Sequence, residues 1–300
     1  MKPVIQVDHL QKAYGPLIAV DDISFEVFES EIFGLLGANG AGKTTTIECI
    51  QGLRRPDSGQ IQILGLKPHS HGLRRRIGSQ LQDSALPDRI KVWEALDLFA
   101  SVTPGGSDWR GLMDQWGLAE KRNASFASLS GGQRQRLLVA LALVNDPDVV
   151  FLDEMTTGLD PAARRSAWDL IRAIRDRGTT VVLVTHFMDE AEQLCDRLAI
   201  VDRGKIVALD SPRELVTRHT KSVRVIFNCD EPDLSWLQAI DHVHSLARHG
   251  PRVEVEGDGP VLALVAAALV DHGIIPADLR TEQTTLEDVF LSLTGHGIDT

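Results

Sequence analysis

Along this 300-residue chain, short continuous apolar runs alternate with stretches of helical spacing. The runs "IFGLL" (Ile32 to Leu36), "VVFL" (Val149 to Leu152) and "TVVLVT" (Thr180 to Thr185) carry no polar face. That is the pattern of parallel strands covered on both sides. Before them, "VIQVDHL" and "ISFEVFES" read as a β-rich N-terminal part. An amphipathic helix follows the glycine-rich turn after Leu36, and "VWEALDLFASV" has apolar residues at helical spacing, most of them core positions. Residues 1–217 therefore read as one α/β domain with a mostly helical insert at about 83–140.

Past the polar linker "TRHTKS" the pattern changes. "VRVIFNC" and "RVEVEG" look like strands, "PVLALVAAALVDHG" like a helix closed by a glycine, and "TTLEDVFLSLTG" like a helix capped by Thr with Glu and Asp in its first turn. Residues 218–300 read as a small α+β domain without a catalytic constellation, suited to binding, dimerisation or regulation.

Composition narrows the setting. The apolar and charged fractions, 43% and 24%, are those of a soluble globular protein. The longest apolar runs fall short of the roughly 20 residues that span a bilayer. No basic n-region followed by an apolar h-region opens the chain, so a cytosolic setting is expected. Cys49, Cys195 and Cys229 are far apart and read as small apolar residues, and His69/His71 and His242/His244 as solvated positions. The net charge of −11, with no basic block beyond Arg74 to Arg76, argues against nucleic acid as a ligand.

The chemistry lies in the turns after the apolar strands. "GANGAGKTT" fits the phosphate-binding spacing with Gly37, Gly42, Lys43 and Thr44, and with Gly40 inside the loop. Glycines there let successive N–H groups wrap a phosphate, Lys43 reaches the β- and γ-phosphates, and the Thr44 hydroxyl ligates Mg²⁺. Asp153 stands at the carboxyl end of a second buried strand and can hold the Mg²⁺ shell. Glu154 is then left to orient or deprotonate an attacking water. His186, at the end of a third strand, is expected to contact the γ-phosphate or that water.

"SLSGGQRQR" begins a helix with two glycines, Gly131 and Gly132, flanked by Ser130 and Gln133 as further hydrogen-bond donors. One nucleotide needs only one phosphate cradle. A second makes sense if it serves the nucleotide held by another copy of the domain.

Taken together, these stretches resemble the nucleotide-binding subunit of the ATP-binding cassette (ABC) family. Leu129 to Gln133 match its Leu-Ser-Gly-Gly-Gln signature, and Gly37, Ala38, Asn39, Gly40, Ala41, Gly42, Lys43, Thr44 and Thr45 its Walker A loop. Val149 to Glu154 match the Walker B strand with its glutamate, Gly158 to Asp160 the D-loop and His186 the switch histidine. The resemblance implies a P-loop NTPase of ABC type with a RecA-like core and a helical subdomain, binding ATP and Mg²⁺. It implies two such domains clasping two ATP molecules head to tail, each signature capping its partner's P-loop, as a homodimer or beside a homologous subunit. It places Tyr14, the single tyrosine, against adenine, and Gln82 as the Q-loop glutamine that reaches Mg²⁺ and links the sheet to the helical subdomain, with Gln80 as a competitor. Asp160 joins the nucleotide-binding set by the same resemblance. Three positions depart from the family: Ala38 for its usual proline, Thr44 for its serine, and Met155 for the proline after the glutamate, a change expected to loosen that turn.

Thr285 to Gly295 resemble the ending of drug-resistance ATPases of the daunorubicin type. The expectation is an ATPase subunit of an exporter for drug or lipid-like cargo, working at the cytoplasmic face of the membrane with a separately encoded permease. The alternative is a cassette ATPase acting on nucleic acid or the ribosome; the single cassette, the absence of a heptad run and the acidic balance argue against it.

Overall fold

A computed structural model of the chain describes residues 2–81, 85–102, 108–219, 223–282 and 284–298. They form two compact units, residues 1–212 with 293–300, and residues 213–292. The sequence divides the chain near 217 and places the last residues with the second part. In the structure the extreme C-terminal residues group with the first unit.

The first unit runs β1 (Pro3–Tyr14), β2 (Leu17–Phe28), β3 (Ile32–Leu36), α1 (Lys43–Ile50), β4 (Ser58–Ile63), β5 (Ile77–Gln80), α2 (Val92–Ser101) and α3 (Trp109–Gln115). It continues with α4 (Gly131–Ala142), β6 (Val149–Asp153), α5 (Pro161–Arg175), β7 (Thr180–Thr185), α6 (Met188–Leu194), β8 (Arg197–Asp202) and β9 (Lys205–Asp210). Strands β2, β1 and β4 make an antiparallel sheet whose inward residues alternate with exposed ones. The main sheet has the order β5-β6-β7-β3-β8-β9, parallel except for β9. Every residue of β3, β6 and β7 is buried, as their unbroken apolar runs require.

This strand order sets the site. β6, β7 and β3 are neighbours, and their register aligns Asp153 with Val184 and Leu36 with Thr185. Three carboxyl ends therefore stop level with one another, each handing its loop to the same edge. Beneath it the core is continuous through Phe33, Leu35, Ile47, Phe151, Val182, Val184 and Val201. Helices α2, α3 and α4 pack on one another beside the sheet.

The second unit holds α7 (Pro212–His219, from Arg213 on), β10 (Val223–Asn228), β11 (Val243–His249), β12 (Arg252–Gly257), α8 (Val261–Asp271), β13 (Arg280–Glu282) and most of α9 (Leu286–Thr294). Its sheet is antiparallel, with the order β11-β12-β10-β13. Helix α8 buries Val261, Val265 and Leu269 against Val225, Phe227, Val253 and Val255. Thr285 caps α9 reciprocally with Asp288: the Asp288 N–H donates to Thr285 Oγ1, and the Thr285 N–H to Asp288 Oδ2. Among the described residues no helix is long and apolar enough to cross a membrane.

Candidate functional site

Residues 37–42 leave β3 and turn into α1 at Lys43. Gly40 and Gly42 hold φ of +80° and +102°, and a Cβ on Gly42 would collide with the Ala19 carbonyl oxygen. Both glycines are thus required by the turn itself. Helix α1 starts without a side-chain cap and without an acidic residue in its first turn. Its leading amides, which no helix bond satisfies, remain open to an anion. Lys43, 4% exposed, donates from Nζ to the Gly37 and Ala38 carbonyl oxygens at 2.7 and 3.0 Å. Burial pushes its pKa down against the opposing pull of Glu154 and Asp153. Ala38 and Ala41 are buried, Asn39 and Thr44 exposed, and Thr45 half-buried.

Asp153 ends β6 at 2% exposure. Burial first, and then the neighbouring Glu154 charge, push its pKa up to about 6; Lys43 and the adjacent Thr44 hydroxyl pull the other way. Its Oδ1 is sealed from solvent without a hydrogen-bond partner. Glu154 follows in the left-handed region, φ +49°, with its N–H donating to the Val184 carbonyl of β7 at 2.9 Å. A non-glycine residue there carries strain of about 1–3 kcal/mol. The bend turns the Glu154 carboxylate back over the sheet edge, where Oε1 lies 3.2 Å from His186 Nδ1. That approach lacks hydrogen-bond alignment, since Nδ1 is buried without a bonded partner. Lys43, Thr44, Asp153, Glu154 and His186 thus come from three adjacent strand ends to one place.

The remaining expected residues lie apart from this cluster or are engaged locally. Ser130 caps α4 in a reciprocal box: its Oγ accepts from the Gln133 N–H at 3.4 Å and its N–H donates to Gln133 Oε1 at 3.1 Å. The Ser130 O–H and the Gln133 amide nitrogen keep donor capacity beyond the box. A Cβ on Gly131 would meet nothing within 4 Å, and one on Gly132 only Ala163 Cβ at 3.9 Å. No crowding inside this chain calls for glycine at either position. Asp160 caps α5, accepting from the Ala162 and Ala163 amides at 2.9 Å. Tyr14 is 39% exposed at the β1–β2 turn, its ring flanked by Lys12 and Arg54 at 5.6 and 5.3 Å. Gln82 lies outside the described residues; Gln80 is buried, donating to the Leu81 carbonyl. Met155 is 2% exposed, beside Trp116, Leu159 and Ala163, and bonds from Thr157 N–H to Glu154 O and from Leu159 N–H to Thr156 O hold the turn.

One neighbour of the P-loop was invisible in the sequence. A cavity of about 380 Å³ is lined by Ala38 to Ala41, Asp202, Arg203 and His296, and His296 Nε2 lies 3.2 Å from Asp202 Oδ1. Asp202 and His296 are 94 positions apart in the chain and carry no motif.

Comparison with known proteins places these features. A family model described as ABC transporter matches residues 20–157. Nod factor export ATP-binding protein I of Ralstonia nicotianae is 38% identical over 310 residues, covering 98% of this chain and 94% of that protein. The protein of the same name from Paraburkholderia xenovorans is 37% identical, covering 97% of each. Among solved structures, cbiO1 from Clostridium perfringens, described as part of the ABC transporter complex cbiONQ, has a TM-score of 0.66 at 26% identity over 72% of this chain and 92% of its own. A chain described as the ATP binding subunit of an ABC transporter has a TM-score of 0.64, also at 26% identity and with the same coverage.

Proposed function

From the premise that the chain belongs to the ABC transporter family, as one of its ATP-binding and ATP-hydrolysing subunits, we propose that it drives an export system by closing on ATP as a homodimer and passing that motion to a separate permease. The observation that carries this reading is the convergence of Lys43, Asp153, Glu154 and His186 at three adjacent strand ends.

In this reading the phosphates lie in the Gly37–Gly42 loop. ATP displaces the Gly37 and Ala38 carbonyls from the Lys43 ammonium, whose charge then meets the β- and γ-phosphates. The Asp153 Oδ1 atom without a partner and the Thr44 hydroxyl beside it are hard oxygen donors of the kind Mg²⁺ takes, and Gln82 is the third candidate. Mg²⁺ held by these oxygens would supply positive charge to offset the charge of the phosphates. Glu154 orients a water in line with the γ-phosphorus and accepts its proton. As the new P–O bond forms, the bond to the bridging oxygen breaks and ADP leaves with the electron pair. His186 holds the Glu154 carboxylate and the water in line.

The empty space at Gly131 and Gly132 supports the dimer: these amides can approach a second chain's γ-phosphate closely, with Ser130 and Gln133 as added donors. Tyr14 and Asp160 complete the nucleotide set, the first at adenine and the second at the dimer seam. The permease fits a groove of about 460 Å³ walled by Leu53, Leu81, Phe99 and Val102, an exposed apolar surface on a subunit that must bind at the membrane. Export as the direction follows the names of the Nod factor relatives. A drug or lipid-like cargo follows the resemblance of Thr285 to Gly295.

Co-expressing Glu154→Gln with the permease encoded beside it, in Mg-ATP and mild detergent, tests the reading. Recovery of a polytopic membrane protein with two copies of this chain is the expected result. Recovery of the chain alone as an ATP-dependent dimer would detach the ATPase from transport.

A further inference from the structure

We propose that Glu190 is a positioning residue for ATP hydrolysis, the centre of a strap that holds the α5 helix and the segment before it against the segment carrying His186. The inference rests on the hydrolytic roles proposed above for Glu154 and His186, and names residues outside every motif that marks the site.

Glu190 lies in the first turn of α6, four residues after His186, and is 0% exposed. A carboxyl group in an apolar interior is expensive unless bonded, so its partners are informative. Its Oε1 accepts a hydrogen bond from Trp168 Nε1 of α5 at 3.1 Å. One turn earlier on the same face of α5, the Arg164 guanidinium stacks over the Phe187 ring at 4.0 Å and lies 3.6 Å from Asp189 Oδ2. Two side chains of α5 thus grip Phe187, Asp189 and Glu190, the three contacts following His186 closely in sequence. Asp160 caps α5 six residues after Glu154, so the strap joins the segments on both sides of the 3.2 Å Glu154–His186 approach.

Hydroxyls of both segments also bear on the carboxyl's charge. Burial drives the Glu190 pKa up, and the hydroxyls of Thr185 and Thr156, with Trp168, act against it. Thr185 immediately precedes His186, and Thr156 follows Glu154 by two. The contact on the Thr156 side is incomplete: Glu190 Oε2 and Thr156 Oγ1 are both sealed from solvent, and neither has a hydrogen-bond partner. Thr156 is near enough to act electrostatically on the carboxyl without the geometry of a bond. In the proposed strap the Thr156 hydroxyl bonds Glu190 Oε2 when the site is engaged, tying residues 154–160 to α6. Because a misplacement near 1 Å can cost about 100-fold in rate, the strap acts on kcat through the Glu154–His186 geometry. The contacts described for the strap lie on α5, α6 and the segments beside Glu154 and His186 rather than on the P-loop.

The test uses the full-length chain and its ATP turnover, with nucleotide affinity and thermal midpoint measured on each variant. Trp168→Phe removes one donor and keeps the ring; Thr156→Val removes one hydroxyl at nearly constant shape. Each is expected to lower kcat by about 5- to 30-fold while the KM for ATP stays within about twofold, a range set by the loss of a single positioning bond. Glu190→Leu is expected to lower kcat further, with Glu190→Gln, which can still accept from Trp168, recovering most of that loss, and Thr156→Ser recovering the Thr156→Val loss. A lowered thermal midpoint with unchanged kcat in Trp168→Phe and Thr156→Val would reduce the strap to a packing feature and overturn the proposal. If Glu190→Leu does not fold, those two variants decide alone. Glu154→Gln run alongside separates the layers. If it turns over ATP like the parent chain, the hydrolytic reading fails and takes the inference with it; if it is inactive while Trp168→Phe and Thr156→Val are normal, the strap alone falls.

Discussion

At the carboxyl ends of β6 and β7 in the first unit, Asp153 Oδ1, Thr156 Oγ1, His186 Nδ1 and Glu190 Oε2 are all sealed from solvent without a hydrogen-bond partner. In the second unit, the described buried atom without a hydrogen bond is Arg252 Nε, and it lies 2.8 Å from the Glu254 carboxylate. Several other charged groups there are likewise matched. Arg224 pairs with Asp288, Asp258 with His242 and His244, and Arg248 donates to the carbonyls of Cys229, Glu231 and Pro232. Buried polar groups are ordinarily satisfied, so Asp153 Oδ1 and His186 Nδ1 at the sheet edge signal a site completed from outside, while Thr156 and Glu190 mark the gap that the proposed strap closes. The pairs named in the second unit close among its own residues.

The sharpest way to break that contrast is to remove the group that acts at the open edge. Glu154→Gln keeps the shape but withdraws the base, and ATP turnover is expected to fall about 1,000-fold, roughly 4 kcal/mol in barrier. Nucleotide affinity should hold or improve, as the carboxylate charge near the γ-phosphate is gone. Turnover within tenfold of the parent would show that the open edge is not where the chemistry occurs.

The reverse cut is made in the core of the second unit. Leu269→Ala leaves a cavity beneath α8, at a cost of about 2–5 kcal/mol. Hydrogen exchange should show weakened protection at Val225, Phe227, Val253 and Val255, while Val182 and Val184 in the first unit stay protected. Equal loss in both units would mean that they unfold as one body.

A third variant separates what the first unit does for itself from what it does for a second copy. Gly131 opens α4 with free space around its missing Cβ. Gly131→Val is therefore expected to leave the thermal midpoint of the isolated chain within about 1 °C while lowering ATP turnover by about 100-fold, about 2.7 kcal/mol, because the added methyls block a partner's phosphate. Unchanged turnover would remove the signature from the reaction.

How much of this was legible in the sequence follows from how local each feature is. Gly40 and Gly42 are demanded by the positive φ angles of a tight strand-to-helix turn, so their spacing announces them, whereas the crowding of Gly42 by the Ala19 carbonyl of β2 is a tertiary contact. The three strand ends were legible because unbroken apolar runs place the following residue at the sheet edge. The Glu190–Trp168–Arg164 strap and the His296–Asp202 approach depend on which helix packs against which strand, and no spacing encodes that. Met155 shows the same limit: read as a missing proline it suggests a loose turn, whereas its burial beside Trp116 becomes visible only once α4 and α5 are in place.

The smallest effect lies in the charge network of the second unit. Burial alone would raise the Asp288 pKa, but the Thr285 N–H and hydroxyl, together with Arg224, outweigh it and hold the carboxyl below its ordinary value. A depressed acid contributes stability that is present above its unfolded pKa, near 3.9, and is lost as pH falls through the lower folded value. The group is about a third exposed, so screening keeps the contribution under about 1 kcal/mol. Asp288→Asn should therefore reduce exchange protection in α9 and β10 slightly at pH 7, and the variant and parent should converge as the pH is lowered below about 4. A difference that persists undiminished at low pH would assign the Asp288 contribution to shape rather than charge. The second unit would then be closed by packing and helix capping, and the contrast with the charged, incomplete edge of the first would widen.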